Sequence, residues 1–232
     1  MGWREDAKRR AALKAVEHVK DGSVVGLGSG STVAYFIEEL GRLVRGGFHV
    51  LGVPTSYQAL ELAVRNGVPL TTLHEHPRLD LAVDGADQVD GELNLIKGLG
   101  GALAREKVVD SSADQLVIVA DETKFSERLG VGVPVPVEVL PFALPTVLRR
   151  LEEMGYEATV RESGGGKVGP VVTDNGNLIV DVEAGAIEEP KRLDEQLRGI
   201  PGVVETGLFI DMADVVYLGG PTEVRRLVRK PR

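Results

Sequence analysis

Apolar positions change their period several times along the chain, and each change marks an element. Ala12, Val16 and Val19 recur at helical spacing within residues 6 to 20, and Asp21 and Gly22 close that helix before the run "SVVGL". That run reads as a buried strand. It leads into "GLGSGST", residues 26 to 32, after which Val33, Phe36, Ile37 and Leu40 fall at i, i+3, i+4 and i+7, the stripe of an amphipathic helix. "FHVLGV", "PLTTL", "DLAVD" and "QLVIVA" are further short apolar runs, with helical patterns among them near residues 57 to 65 and 101 to 112. Short strands alternating with helices predict an α/β fold, a Rossmann-like parallel sheet with helices on both faces. Ligands of such sheets sit beyond the carboxyl ends of the strands.

The alternation breaks after Lys124. "LGVGVPVPVEVLPF" is Pro-rich and apolar and leads to a helix near residues 142 to 154, a strand "EATVRE", the glycine-rich "SGGGKVG" and then "PVVTDNGNLIVDV". In the last of these, "DNG" between two apolar runs is a strong hairpin signal. A helix near residues 190 to 199 and a strand "VVETGLF" complete a small α+β, ferredoxin-like domain over residues 131–206, set within a Rossmann-like domain of residues 1–130 and 207–232. "ADVVYLGG" and a final helix return the chain to the first pattern. "SGGGK" reads as a hairpin tip rather than a phosphate site.

Composition narrows the chemistry. The 232 residues suffice for a substantial core, and a net charge of −8 argues against nucleic acid, which is usually met by a clustered basic face. Zero cysteines exclude disulfides, thiolate metal sites and a Cys nucleophile. "MGWREDAKRRAALKAV" carries charge where a signal peptide needs an apolar region, and no run approaches the length of a membrane span, so a soluble cytoplasmic protein without membrane contact is expected.

"GLGSGST" suggests a nucleotide, but its letters do not fit one. A dinucleotide loop needs G-x-G-x-x-G, whereas here the third glycine comes early, at Gly30, with Ser31 where the motif wants Gly; "FHVLGVPTS" also ends in Pro54, Thr55 and Ser56 instead of a ribose-binding acid. A P-loop would place Lys before its Ser or Thr. Gly28, Ser29, Gly30, Ser31 and Thr32 therefore suit a single phosphate at a helix start. The plainer alternative is a tight turn with Ser31 as N-cap.

"DLAVDGADQVD" puts Asp84 and Asp87 at a strand's carboxyl end. Two carboxylates so close raise each other's pKa, which prepares an acid and a base; they also suit a divalent metal, or Asp84 merely caps an Asx-turn. "LIKGLGGALAREKVVD" follows, with Lys97, the glycines Gly98, Gly100 and Gly101, and a helix on which Leu103, Val108 and Val109 are apolar and Glu106 and Lys107 polar. Glycine amides at a helix start, a nearby Lys and a carboxylate in the first turns can stabilise an enediolate. An exposed Glu106 paired with Lys or Arg is the alternative. In "VIVADETK", Lys124 is placed to neutralise a phosphate and Asp121 to cap a turn, while "HEH", residues 74 to 76, lacks a third metal ligand.

Taken together, the chain resembles the ribose-5-phosphate isomerase A family along nearly its whole length. "GLGSGST", "DGADQVD", "IKGLGGALAREK" and "ADETK" match the family's motifs in order, and "VPVEVLPF", "TDNGNLIVD" and "IPGVVETGLF" match its second domain. Gln88, where an acid is common, and Ser29, where Thr is, are small departures. The resemblance implies interconversion of ribose 5-phosphate and ribulose 5-phosphate through a cis-enediolate, in the non-oxidative pentose phosphate pathway, with neither metal nor organic cofactor. It implies Glu106 as the base, Asp84 in ring opening and Asp87 positioning sugar hydroxyls. Lys97 and the amides of Gly98 to Gly101 would face the oxyanion, and Ser29, Gly30, Ser31, Thr32, Lys124 and Lys8 would bind the phosphate. A homodimer or homotetramer is implied as well. An amino-sugar phosphate isomerase or deaminase would need a base such as His in these motifs, and a sugar-phosphate sensor would not keep Asp84, Asp87 and Glu106 together. CoA transfer would call for a larger chain.

Overall fold

The computed structural model describes residues 2–166 and 168–230. In chain order the elements are α1 (Trp3–Val16), β1 (Val24–Leu27), α2 (Ser31–Arg45), β2 (Leu51–Pro54), α3 (Tyr57–Asn66), β3 (Leu81–Asp84), β4 (Gln88–Val89), β5 (Leu95–Ile96), α4 (Leu103–Ser111) and β6 (Leu116–Asp121). Then come β7 (Val135–Val139), α5 (Leu144–Glu153), β8 (Glu157–Val160), β9 (Leu178–Glu183), α6 (Pro190–Arg198), β10 (Val203–Thr206), β11 (Leu208–Phe209), β12 (Val215–Gly219) and β13 (Val224–Val228). Contacts divide the chain into one compact unit of Met1–Ala86, Arg105–Phe125 and Asp211–Arg232 and another of Asp87–Ala104 and Ser126–Ile210.

The first unit is built on a sheet of order β13-β12-β6-β3-β1-β2, parallel except for the pairing of β13 with β12. From β1 the chain moves one way to β2 and then crosses back to β3 on the other side, so the strand order reverses between β1 and β3. That reversal is the topological switch point at which open α/β sheets bind ligands. The predicted stripe of α2 is buried: Val33, Phe36, Ile37 and Leu40 pack with Leu27, Val83, Val117 and Val119 in one core.

Several elements differ from the sequence reading. α1 begins at Trp3 and ends at Val16; Ala12 is buried as read and Val16 and Val19 pack partly buried against the core, but the fully buried face of the helix is Ala7, Ala11, Ala12 and Ala15. The reason is contact distance: a Cβ on Gly219 would lie 2.1 Å from the Ala7 carbonyl oxygen, so this helix face must be small where β12 ends. "PLTTL" makes only a single bridge, Leu70 to Gly52, because Pro69 has no N–H with which to extend a ladder. The expected final helix is instead β13, antiparallel to β12 through a turn in which Gly220 N–H donates to Glu223 O at 2.8 Å. Val224, Leu227 and Val228 are spaced i, i+3, i+4, so in a run this short the apolar pattern alone does not distinguish helix from strand.

The second unit contains a four-stranded antiparallel sheet of order β10-β7-β9-β8. Its chain order β7-α5-β8-β9-α6-β10 is the βαββαβ arrangement of a ferredoxin-like fold. Val135, Val137, Val139, Val147, Leu151, Val180, Val182 and Leu197 form its core. The "DNG" turn is present, with Gly176 at φ 81° and Thr173 N–H donating to Asn177 O at 2.9 Å, but its first arm is reduced to a bridge between Val172 and Leu178. The carboxylate of Glu138 holds this turn, since its Oε1 accepts from Thr173 Oγ1, Asn175 Nδ2 and Asn177 Nδ2 at 3.0, 3.0 and 2.7 Å. Ser163 N–H donates to Gly169 O at 3.2 Å across the base of the "SGGGKVG" loop, of which Lys167 lies outside the described residues.

"VVETGLF" is not one strand. At Gly207 the chain leaves the four-stranded sheet and enters a three-stranded one of order β11-β5-β4. A side chain at Gly207 would meet Lys97 O at 2.2 Å and Pro136 Cδ at 2.8 Å. These pairings group residues 87–104, placed with the first domain by the sequence reading, with the second unit.

Candidate active site

At the switch point of the first unit, β1 ends in Leu27 and the chain turns through Gly28, Ser29 and Gly30 into α2. Gly28 N–H donates to Val83 O at 3.0 Å, and Ser29 N–H donates to Asp84 Oδ1 at 3.1 Å. Asp84, the last residue of β3, is fully buried, and its Oδ1 also accepts from Gly85 N–H at 2.6 Å. The approach is so close that a Cβ on Gly28 would lie 2.2 Å from Asp84 Oδ1, which fixes glycine at that position.

Gly30, at φ 105°, is the N-cap of α2, so Ser31 is the first helical residue and not the cap. Gly30 has no side chain with which to cap this helix, so the first-turn amides of Ser31 and Thr32 and the positive end of the dipole suit an anion. The loop is braced from α3 and the end of β2. Ser29 Oγ lies 2.8 Å from Thr55 Oγ1 and 2.5 Å from Ser56 Oγ, and Gly30 N–H donates to Gln58 Oε1 at 2.9 Å. In the sequence Thr55 and Ser56 counted only as the absence of a ribose-binding acid, and Gln58 not at all; the hydroxyl pair directly after an apolar strand is the signal that could have given them this role.

Glu106 stands in the first turn of α4 and is buried, unlike the exposed carboxylate that was its alternative. The helix phase also differs from the reading, because Val108 is exposed and Glu106 shares the buried face with Leu103, Val109 and Asp110. α4 lies tight on the sheet: a Cβ on Gly26 would sit 2.7 Å from Val109 Cγ1 and 3.0 Å from Ala82 Cβ. The helix runs toward Ser112, whose carbonyl accepts from Leu79 N–H just before β3 begins. It is therefore antiparallel to β3, and at a rise of about 1.5 Å per residue Glu106 lies roughly 4.5 Å nearer the carboxyl ends of the strands than Val109.

Lys124 closes a 3-10 turn, Glu122–Lys124, directly after β6, and Asp121 caps that turn by accepting from Thr123 N–H at 3.1 Å. Lys8, on α1, is held by Glu5 at 2.7 Å, and Glu5 also accepts from Tyr35 O–H at 2.9 Å. The hydrogen bond from Lys8, then that from Tyr35, holds the Glu5 carboxyl below its ordinary range. Lys8 is thus tied to Glu5.

The second unit carries the other motif. Asp87 Oδ2 accepts from Leu99 N–H at 2.8 Å, and Gly101 N–H donates to Gly98 O at 2.9 Å, with Gly98 and Gly101 at φ 104° and 78°. Lys97 is buried with its ammonium 5.3 Å from the centre of the Phe209 ring, and its own N–H donates to Gly207 O at 2.9 Å. Gln88, the departure from the family pattern, uses both ends of its amide: Nε2 donates to Val131 O at 3.0 Å and Oε1 accepts from Gly130 N–H at 2.7 Å. A carboxylate could make only the second bond. A residue the sequence reading missed, Arg161, donates from Nη1 to Gly98 O and Leu99 O at 2.7 and 2.9 Å.

Among the described residues, no group of three or more His, Asp or Glu is placed to hold a metal ion. In "HEH" Glu75 and His76 are engaged locally, since Thr71 Oγ1 lies 2.9 Å from His76 Nδ1 and donates to Glu75 Oε2 at 3.0 Å. No helix among the described residues is long and apolar enough to cross a membrane.

Comparison with known proteins agrees with the motifs. The family model for ribose 5-phosphate isomerase A (phosphoriboisomerase A) matches residues 51–223. The ribose-5-phosphate isomerase A of Methanothermobacter thermautotrophicus is 52% identical over 223 residues, covering 96% of this chain and 97% of the relative. Among solved structures, ribose 5-phosphate isomerase A from Methanocaldococcus jannaschii superposes with a TM-score of 0.92 at 47% identity, covering 97% of this chain and 99% of its own. A D-ribose-5-phosphate isomerase in complex with phospho-erythronic acid superposes at 0.94 with 43% identity, covering 99% and 100%.

Proposed function

The chain belongs to the ribose 5-phosphate isomerase A family and is an aldose–ketose isomerase of ribose 5-phosphate and ribulose 5-phosphate, and from that membership we propose how its residues divide the reaction. Isomerisation moves a proton between C2 and C1 through a cis-enediolate, which requires a base, a stabiliser for the developing oxyanion and an anchor for the phosphate. Glu106 is the base that takes the proton from C2 and returns it at C1. Asp84 assists opening of the furanose ring, and Asp87 orients sugar hydroxyls. Lys97 and the amides of the Gly98–Gly101 loop stabilise the oxyanion. Ser29, Gly30, Ser31, Thr32 and Lys124 bind the phosphate, with Gly28 supplying the close turn and Lys8 contributing once released from Glu5.

The observation that carries this reading is the arrangement at the switch point, where a buried carboxylate, Asp84, is hydrogen-bonded to the amide of Ser29 in the loop that opens α2. It couples a phosphate-type helix N-terminus to an acid at the end of the adjacent strand. The phosphate then supplies binding energy remote from the reacting carbons and orients them. Phospho-erythronic acid, whose carboxylate resembles the oxygens of the enediolate, is proposed to bind this chain and compete with its substrate. The same proposal includes a place in the non-oxidative pentose phosphate pathway, a cytoplasmic location and a homodimer or homotetramer.

The test is formation of ribulose 5-phosphate from ribose 5-phosphate by the purified chain in EDTA. Persistent activity is expected, and loss of activity that returns with a divalent cation would restore the metal reading of Asp84 and Asp87. Removing one phosphate contact should act differently from removing the base. Lys124→Ala is expected to raise KM about tenfold or more while kcat changes little, the pattern of lost ground-state and transition-state binding together. A steady-state titration showing unchanged KM with a collapsed kcat would place Lys124 in the chemistry instead.

A further inference from the structure

The guanidinium of Arg161 makes more contacts than an ion pair needs. It follows β8 and faces Asp181 of β9, to which Nε donates at 2.8 Å while Nη2 donates to the other carboxylate oxygen. Both side chains are largely buried, at 15% and 16% exposure. A pair that only tied β8 to β9 would be complete with those two bonds. Arg161 uses its remaining nitrogen on Gly98 O and Leu99 O, at 2.7 and 2.9 Å, in a segment more than sixty residues earlier in the chain.

Those bonds fix peptide orientation. The peptide between Gly98 and Leu99 is held at both ends, its carbonyl by Arg161 and its N–H by Asp87 Oδ2 at 2.8 Å. The next peptide has its Leu99 carbonyl turned to the same guanidinium. In a trans peptide the N–H points opposite to the C=O, so the Gly100 N–H is directed away from Arg161. Gly100 is exposed, and a Cβ there would meet no heavy atom within 4 Å. The neighbouring donor, Gly101 N–H, is already bonded to Gly98 O at 2.9 Å. Gly98, at φ 104°, and Gly101, at φ 78°, leave this loop free to take other orientations, so something must select one.

We propose that Arg161 is a positioning residue of the isomerase: its fork on the Gly98 and Leu99 carbonyls aims the Gly100 N–H at the developing oxyanion. This rests on the reading of the Gly98–Gly101 loop as the oxyanion stabiliser. Because Asp181 balances the guanidinium charge, Arg161 acts by geometry rather than by adding positive potential. Its planar fork reaches two carbonyls and two carboxylate oxygens at once, which a lysine ammonium cannot do.

The experiment compares Arg161→Ala, Arg161→Lys and Glu106→Gln with the unmodified protein, measuring kcat, KM and the affinities for phospho-erythronic acid and for inorganic phosphate. Arg161→Ala is expected to lose about 10- to 100-fold in kcat with KM within about threefold, the range expected when a catalytic donor is misplaced by about an ångström. Its affinity for phospho-erythronic acid should fall by about tenfold and that for inorganic phosphate should not change. Arg161→Lys, which keeps the charge opposite Asp181, should fall between Arg161→Ala and the unmodified protein, and it carries the same readout if the alanine variant does not fold. Unmodified kcat in Arg161→Ala beside an inactive Glu106→Gln overturns the role of Arg161 alone, as does an equal loss of both ligands, the mark of a merely structural residue. Unmodified kcat in Glu106→Gln overturns the site reading, and this inference with it.

Discussion

Glu106→Gln is expected to lower kcat by about two to four orders of magnitude while KM stays nearly unchanged, because an amide of the same shape cannot accept the C2 proton. Glutamine keeps the shape of the side chain, and Glu106 is buried in the first turn of a helix that Val109 seats against Gly26 and Ala82. The helix should keep its place, and a melting temperature close to that of the unmodified protein would confirm that the loss is chemical. A base contributes about 10²- to 10⁴-fold, so the remaining rate reports what positioning and oxyanion stabilisation achieve without it. Turnover near the unmodified value would remove Glu106 from the mechanism.

Gly28→Ala is expected to damage both the fold and the reaction. A methyl at Gly28 would stand 2.2 Å from Asp84 Oδ1, 2.3 Å from its Cγ and 2.6 Å from its Cα. The last contact is with backbone, so a rotamer change at Asp84 cannot relieve it. Either the turn after β1 or the end of β3 must move. Overpacking of this kind typically costs about 1–3 kcal/mol, which calorimetry would read as a lowered melting temperature. The displacement falls on the Ser29 amide and the Asp84 carboxylate together, so kcat/KM should drop about 100-fold or more. A variant that melted and turned over like the unmodified protein would mean that this close approach is not what holds Asp84.

Local pattern was the legible part of the sequence. The loop after β1 opens α2 at the switch point, where its glycines put it, and the proposal of a single phosphate there rests on the position of Gly30 and the absence of an acid after Thr55, facts within reach of a few residues. The α2 stripe was equally direct, since Phe36, Ile37 and Leu40 are buried where their spacing put them. Where the reading missed, a distant contact decided the outcome. Residues 224–228 carry an apolar spacing compatible with a helix, yet β12 offers a strand edge, and Arg10 of α1 fixes the preceding turn through the carbonyls of Gly220 and Pro221 at 2.5 and 2.9 Å. Residues 87–104 look continuous with the first sheet, but β4 pairs with β5, and β5 finds its other partner in β11, more than a hundred residues later. Arg161 was passed over because one arginine in "EATVRE" carries no signal of its own; only its bonds to Gly98 and Leu99 give it a role.

The proton transfer assigned to Glu106 is tested most directly by incubating ribose 5-phosphate with the enzyme in D₂O and EDTA through many turnovers, then reading carbon-bound deuterium by NMR. Deuterium at C1 of ribulose 5-phosphate and at C2 of ribose 5-phosphate is predicted for the unmodified protein, with none formed by Glu106→Gln in the same time. Labelling by Glu106→Gln equal to that of the unmodified protein would contradict it.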